Sequence, residues 1–257
     1  MILLLLACSG LADSQEADSQ DSPATPHEFP CEDPSRQVHL DISDRDPETR
    51  TFSEDVVIDG VWVTALEDCE DISGSLAAMN WHSVSDAEAA TAYSEAVMPL
   101  LLGSGAKILF SGNGTEPVGP DELVLHDVIA VPLYRSAEAF VEMIASEAFM
   151  SVAHYKAQGV ADEYSFGFQR CLIGCDELPE QGIPPAISTP ALVHHFTLGD
   201  VVLEDHLVSL SEAIEADGIG QLAYAGKLIA SGWLEHDDGT LHRFYDPLGV
   251  EGSFIIT

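Results

Sequence analysis

From residue 36 onward, apolar and polar positions either alternate or recur at helical spacing. Val56-Val57-Ile58 and Val61-Trp62-Val63 are short β-like runs, and Asp59-Gly60 between them predicts a hairpin turn. Leu76–Val84 alternates as a strand. Asp86 is placed to cap a helix whose apolar positions Ala89, Tyr93, Ala96, Val97 and Leu100 share one face. Residues 107–112 and 123–134 read as strands on either side of a loop rich in Gly, Pro and Asn. Ser136 begins a second helix with Phe140, Met143 and Ile144 on one side, and residues 163–170 alternate again.

The predicted order over residues 75–172 is βαββαβ, a split-βαβ or ferredoxin-like unit of the α+β class. A linker with prolines at 179, 184, 185 and 190 spans residues 173–190. Beyond it, over residues 191–257, the pattern partly repeats. Residues 192–198 are strand-like, and residues 204–216 are helical with Leu207, Leu210 and Ile214 on one side. Ala225-Gly226-Lys227-Leu228-Ile229-Ala230-Ser231-Gly232 echoes Gly105-Ala106-Lys107-Ile108-Leu109-Phe110-Ser111-Gly112 at an offset of 120. With a last strand at 252–257 the second unit reads βαββ, without a second helix or fourth strand. Residues 56–66, within the β-containing segment 36–74, have no place in the first unit. They are expected to cover an exposed sheet edge, because an unpaired edge invites association.

The N-terminal part differs. Leu5-Leu6-Ala7-Cys8 resembles a lipobox, which makes Cys8 the lipidation site and residues 1–8 the remnant of a lipoprotein signal. No Lys or Arg precedes Arg36, so the charged n-region is missing; a start placed too far downstream accounts for that and for the short apolar run. A frayed apolar terminus with an incidental cysteine is the alternative. Residues 9–35 are polar, acidic and poor in aliphatic bulk, the composition of a disordered tether.

Charge narrows the partners. Nine Lys+Arg against 44 Asp+Glu leave a formal net charge of −35, which repels nucleic acid and anionic membrane surfaces. Membrane contact is therefore expected only through the lipid, in a bacterial cell envelope. With Cys8 set aside, four cysteines remain: Cys31, Cys69, Cys171 and Cys175. An even number in an exported chain suggests disulfides, with three connectivities open. Cys171 and Cys175 are close enough for a local bridge eased by Gly174, which would leave Cys31 with Cys69. No second paired-Cys or His element stands at zinc spacing, and no metal or cofactor is expected.

The first unit resembles the domain-of-unknown-function family 1330 over about residues 75–172. The resemblance runs through Tyr93-Ser94-Glu95-Ala96-Val97-Met98-Pro99-Leu100-Leu101 and Gly105 to Gly112, then Met79-Asn80-Trp81, Asp127-Val128-Ile129, Ser136-Ala137-Glu138-Ala139-Phe140 and Ala153-His154-Tyr155-Lys156. Two positions depart: His126 stands where the family has Trp, and Arg135 where it has Pro. The resemblance implies sheets paired as a dimeric α+β barrel, here within one chain as a pseudo-dimer or between copies as a homodimer. It implies no activity.

Within Leu76–Val84, alternation puts Ala77, Met79 and Trp81 on one face and Ala78, Asn80 and His82 on the other. The apolar set is expected to meet the helices, leaving Asn80 and His82 toward the barrel interior. Aligning Phe196 with Trp81 adds His195 and Thr197 from the second unit, so that four polar groups would converge on a small-molecule ligand. With ten histidines in the chain, each also reads, and more readily, as a hydrogen-bonded or exposed side chain. Two functions follow: a binding or interaction module without catalysis, or a small cofactor-free or haem-using monooxygenase or isomerase of the α+β-barrel class. The first is favoured, because no Gly-x-Ser-x-Gly, phosphate-cradling loop or dinucleotide fingerprint occurs.

Overall fold

Eleven strands join in a large antiparallel sheet that carries four α-helices in the computed structural model. It describes residues 29, 31, 33–53, 56–114, 126–175, 191–196, 203–218, 220–245 and 252–257. The elements of the N-terminal half are β1 (Gln37–Asp41), β2 (Thr51–Ser53), β3 (Val56–Ala65), β4 (Leu76–Val84), α1 (Ala87–Gly103), β5 (Lys107–Asn113) and β6 (Val128–Tyr134). There follow α2 (Ala137–Ile144), α3 (Glu147–Gly159), β7 (Val160–Ile173), β8 (Leu192–Phe196), α4 (Leu203–Asp217), β9 (Leu222–His236), β10 (Leu241–Tyr245) and β11 (Gly252–Ile256). No helix among the described residues is long and apolar enough to cross a membrane.

Local chemistry sets the helix ends. The Asp86 carboxylate accepts from the N–H groups of Glu88 and Ala89, and Ser136 and Ser146 cap α2 and α3 through Ala139 and Phe149. Past the end of α1, Gly105 sits at φ 81°. Its N–H donates to Leu102 C=O while that of Ala106 donates to Leu101 C=O, a Schellman closure that turns the chain into β5.

The strand order β1-β3-β9-β7-β4-β6-β5 makes the long β9 the seam. Its first half pairs with β11, and through β11 with β8. Its centre pairs with β7, from Ala225 to Ala230. Its last part, from Ala230 to His236, lies between β3 and the hairpin partner β10. The segments around Lys107 and Lys227 that echo each other in sequence each lie on a strand that follows a helix, β5 after α1 and β9 after α4.

Several elements depart from the sequence expectation. Asp59-Gly60 is not a turn: β3 runs through it, because β1 and β9 hydrogen-bond to its two edges. Gly60 is there for space, since a Cβ would lie 2.5 Å from His39 Nε2 and 3.0 Å from Glu235 Oε2. The second helix of the first unit is two helices, divided by the Ser146 cap. The second unit gains β10, whose Asp237-to-Gly239 turn folds it back on β9. The tether ends before residue 35: Phe29 is buried with its ring 5.2 Å from Trp62 and 5.6 Å from Trp233, and Cys31 is bonded to Cys69. Cys8, most of the tether and the linker residues 176–190 lie outside the described residues.

The structure pairs Cys171 with Cys175 as well as Cys31 with Cys69. Both bonds suit an oxidising, non-cytoplasmic compartment. The main core joins both units: Phe140, fully buried, meets the rings of Tyr134 and Phe168 from the first and of Phe244 and Tyr245 from β10.

Candidate functional site

The two faces of β4 are the reverse of the sequence expectation. Leu76 and Ala78 belong to the core that holds Val97 and Leu101 of α1 and Phe140 of α2. Ala77 and Met79 pack instead with Val131, Leu133, Tyr224 and Ile255, a cluster with no helical residue, and Trp81 lies against it. Asn80 and His82 alternate with Met79 and Trp81 and so share the helix side, not the helix-free side. The apolar residues were expected on the helices, with the other face lining a barrel interior that held the polar groups. Here β9 and β11 bury the other face as well.

Asn80 is buried, and its amide donates to the carbonyls of Ala78 (3.2 Å) and Ala130 (3.4 Å), which anchors the strand. His195 keeps its place on β8 opposite Ser253, but its side chain and the whole of Thr197 lie outside the described residues. Of the four predicted residues, the described side chains are Asn80 and His82, and both lie on the helix side of β4.

Two arrangements on or beside the helix-free face were not foreseen. The first is a buried chain of polar groups at the seam. Tyr224 on β9 donates to Gln169 Oε1 on β7 (2.7 Å), and Gln169 Nε2 donates to Ser253 Oγ on β11 (2.8 Å). Burial pushes the Tyr224 phenol far above its ordinary range, so it stays a donor. Replacing Tyr224 with Phe should strand the Gln169 carbonyl and lower the unfolding free energy by about 1–3 kcal/mol in urea titrations. Adding Gln169→Leu should cost less than the two single changes together, because the stranded acceptor is then gone.

The second is a cleft of about 480 Å³ where four strand ends meet. Its walls are Leu76 at the start of β4, Lys107 at the start of β5, Leu133 and Arg135 at the end of β6, and Arg170 with the Cys171–Cys175 disulfide at the end of β7. Asp71, Gly74 and Ser75 close one side. A network fixes that rim: Glu70 lies 2.6 Å from Lys227 and 2.7 Å from Arg170, and Asp71 lies 3.1 Å from Arg36. The hydrogen bond from Lys227, more than any other cause, holds the Glu70 carboxyl below its usual range. The pairing therefore adds stability above the ordinary glutamate pKa and loses it as the pH falls through the lowered value.

Just before β6, His126 is buried with its Nδ1 3.0 Å from Ser83 Oγ and its ring edge-on to Trp81.

No family model matches the chain, and neither does any curated protein. Among solved structures, a protein of unknown function from Rhodopseudomonas palustris is 23% identical, over 36% of this chain and 79% of its own, at a TM-score of 0.34. The methylated form of that protein matches at 23% identity over 36% and 78%, at a TM-score of 0.33.

Proposed function

We propose that this protein is an extracytoplasmic binding module, held to the bacterial envelope by a lipid on Cys8, that takes a small molecule in the cleft between Lys107, Leu133 and Cys175. The cleft carries the reading. About 480 Å³ is within the range of small-molecule sites, and its walls combine strand ends with the 71–75 loop and the Cys171–Cys175 disulfide. The two disulfides agree with export.

The fold behind this reading is a pair of ferredoxin-like units, the first of them of the family 1330 type. Its support is the strand order β7-β4-β6-β5, in which the first strand of the unit lies between the fourth and the third. The order β8-β11-β9 repeats that pattern without a fourth strand, and β7 pairs with β9 across the seam.

The test is a titration of the isotope-labelled protein with a mixture of neutral and charged fragments, read by amide chemical shifts. Shifts should gather on Lys107, Leu133, Arg135 and Cys175, and vanish in Ser75→Trp, whose indole would fill the cleft. Shifts confined to other surfaces, or unchanged in Ser75→Trp, would remove the binding-module reading.

A further inference from the structure

We infer that the cleft is a site for a small organic anion, whose oxyanion group sits between Lys107 and Arg135 while its carbon skeleton packs on Leu133 and the Cys171–Cys175 disulfide. This rests on the binding-module reading and adds the chemical class of the ligand.

Acids outnumber lysines and arginines by 44 to 9, so a cation that can reach a carboxylate ordinarily has one within range. Most do. Arg36, Arg50, Arg170 and Lys227 each pair with an acid. Arg45 donates to the Ala145 carbonyl, Arg243 lies over the Trp233 ring, and Lys156 is also engaged. Among the described residues, Lys107 and Arg135 are the two without a partner, and both line the same cleft.

Their closeness is built in by the backbone. Lys107 stands directly opposite Leu133 in the β5–β6 ladder, and Arg135 follows two residues later at the strand end. A Cβ on Gly105 would lie 3.5 Å from Arg135 Cδ, so the arginine stem crosses the Schellman glycine that leads into Lys107. Arg170 adds positive charge across the cleft, though Glu70 and the Asp71 carbonyl (3.0 Å) already engage it. The one carboxylate in the lining, Asp71, is taken up by Arg36.

An anion with no apolar part would leave the rest of the cleft to water. Leu133 and the disulfide offer apolar contact beside the charges, which suits a carboxylate or phosphate on a short hydrocarbon body. A guanidinium and an ammonium on one oxyanion also give charge-assisted hydrogen bonds that a neutral group cannot accept as strongly.

Hexanoate, its neutral counterpart hexanol, and inorganic phosphate distinguish the components, each titrated at constant ionic strength and read by amide shifts and calorimetry. Hexanoate should bind at the cleft more tightly than either of the others. Lys107→Gln and Arg135→Gln should each weaken it by about tenfold or more, as expected for the loss of one charged hydrogen bond, while Lys156→Gln on α3 leaves it unchanged. Hexanol binding at the cleft as well as hexanoate would overturn the anionic class and leave the binding module standing. Phosphate binding as well as hexanoate would overturn the apolar half of the assignment. Hexanoate affinity unchanged in both cleft variants would place the anion elsewhere, and no response to any probe would overturn the site together with the module.

Discussion

Replacing Phe140 with Ala should lower the unfolding free energy by about 3–5 kcal/mol, the largest loss expected for a single side chain here. Phe140 is fully buried on α2 and leans on four rings. It lies 4.9 Å from Tyr134, 4.8 Å from Phe168, 5.8 Å from Phe244 and 5.6 Å from Tyr245, three of them edge-on. These partners come from β6, β7 and β10, so the cavity would open where a helix of the first unit meets the hairpin of the second. Neighbours fixed in a sheet relax little into such a space, which puts the cost toward the top of the range. Urea denaturation should show one shifted transition for Phe140→Ala. A change below about 1 kcal/mol would mean that this cluster does not hold the two units together.

The parts of the fold that were legible in the sequence carry their own signals. Leu76–Val84 alternates, Asp86 and Ser136 are caps, and the offset repeat marks two strands that follow helices. What was not legible depends on neighbours distant in the chain. Asp59-Gly60 has turn chemistry, yet pairing to β1 and β9 on both edges makes it mid-strand. Alternation correctly separated Met79 from Asn80, but it cannot say which face meets helices when β9 and β11 bury the other face too. The cleft left a fainter trace. Lys107, Arg135 and Arg170 share no motif, and strand pairing alone assembles them. Their rarity among 44 acids was the readable sign.

Removing the Cys31–Cys69 bond should cost about 4 kcal/mol, and removing Cys171–Cys175 about half of that, if restriction of the unfolded chain governs both. The first closes a separation of 38 residues and the second a separation of 4, and the entropy released grows with the logarithm of that length. The long bond also has native contacts to protect. It holds the segment that brings Phe29 onto Trp62 and Trp233, and it fixes the loop from which Asp68 and Glu70 reach Lys227. In Cys31→Ala/Cys69→Ala, tryptophan fluorescence should therefore change before the main unfolding transition, because Phe29 can leave those two rings without the sheet opening. In Cys171→Ala/Cys175→Ala that early change should be absent, since the bond sits in the cleft wall far along the sheet from the Phe29 cluster. The reverse ranking would show that the short bond acts in the folded state, by holding the cleft wall in place at the end of β7.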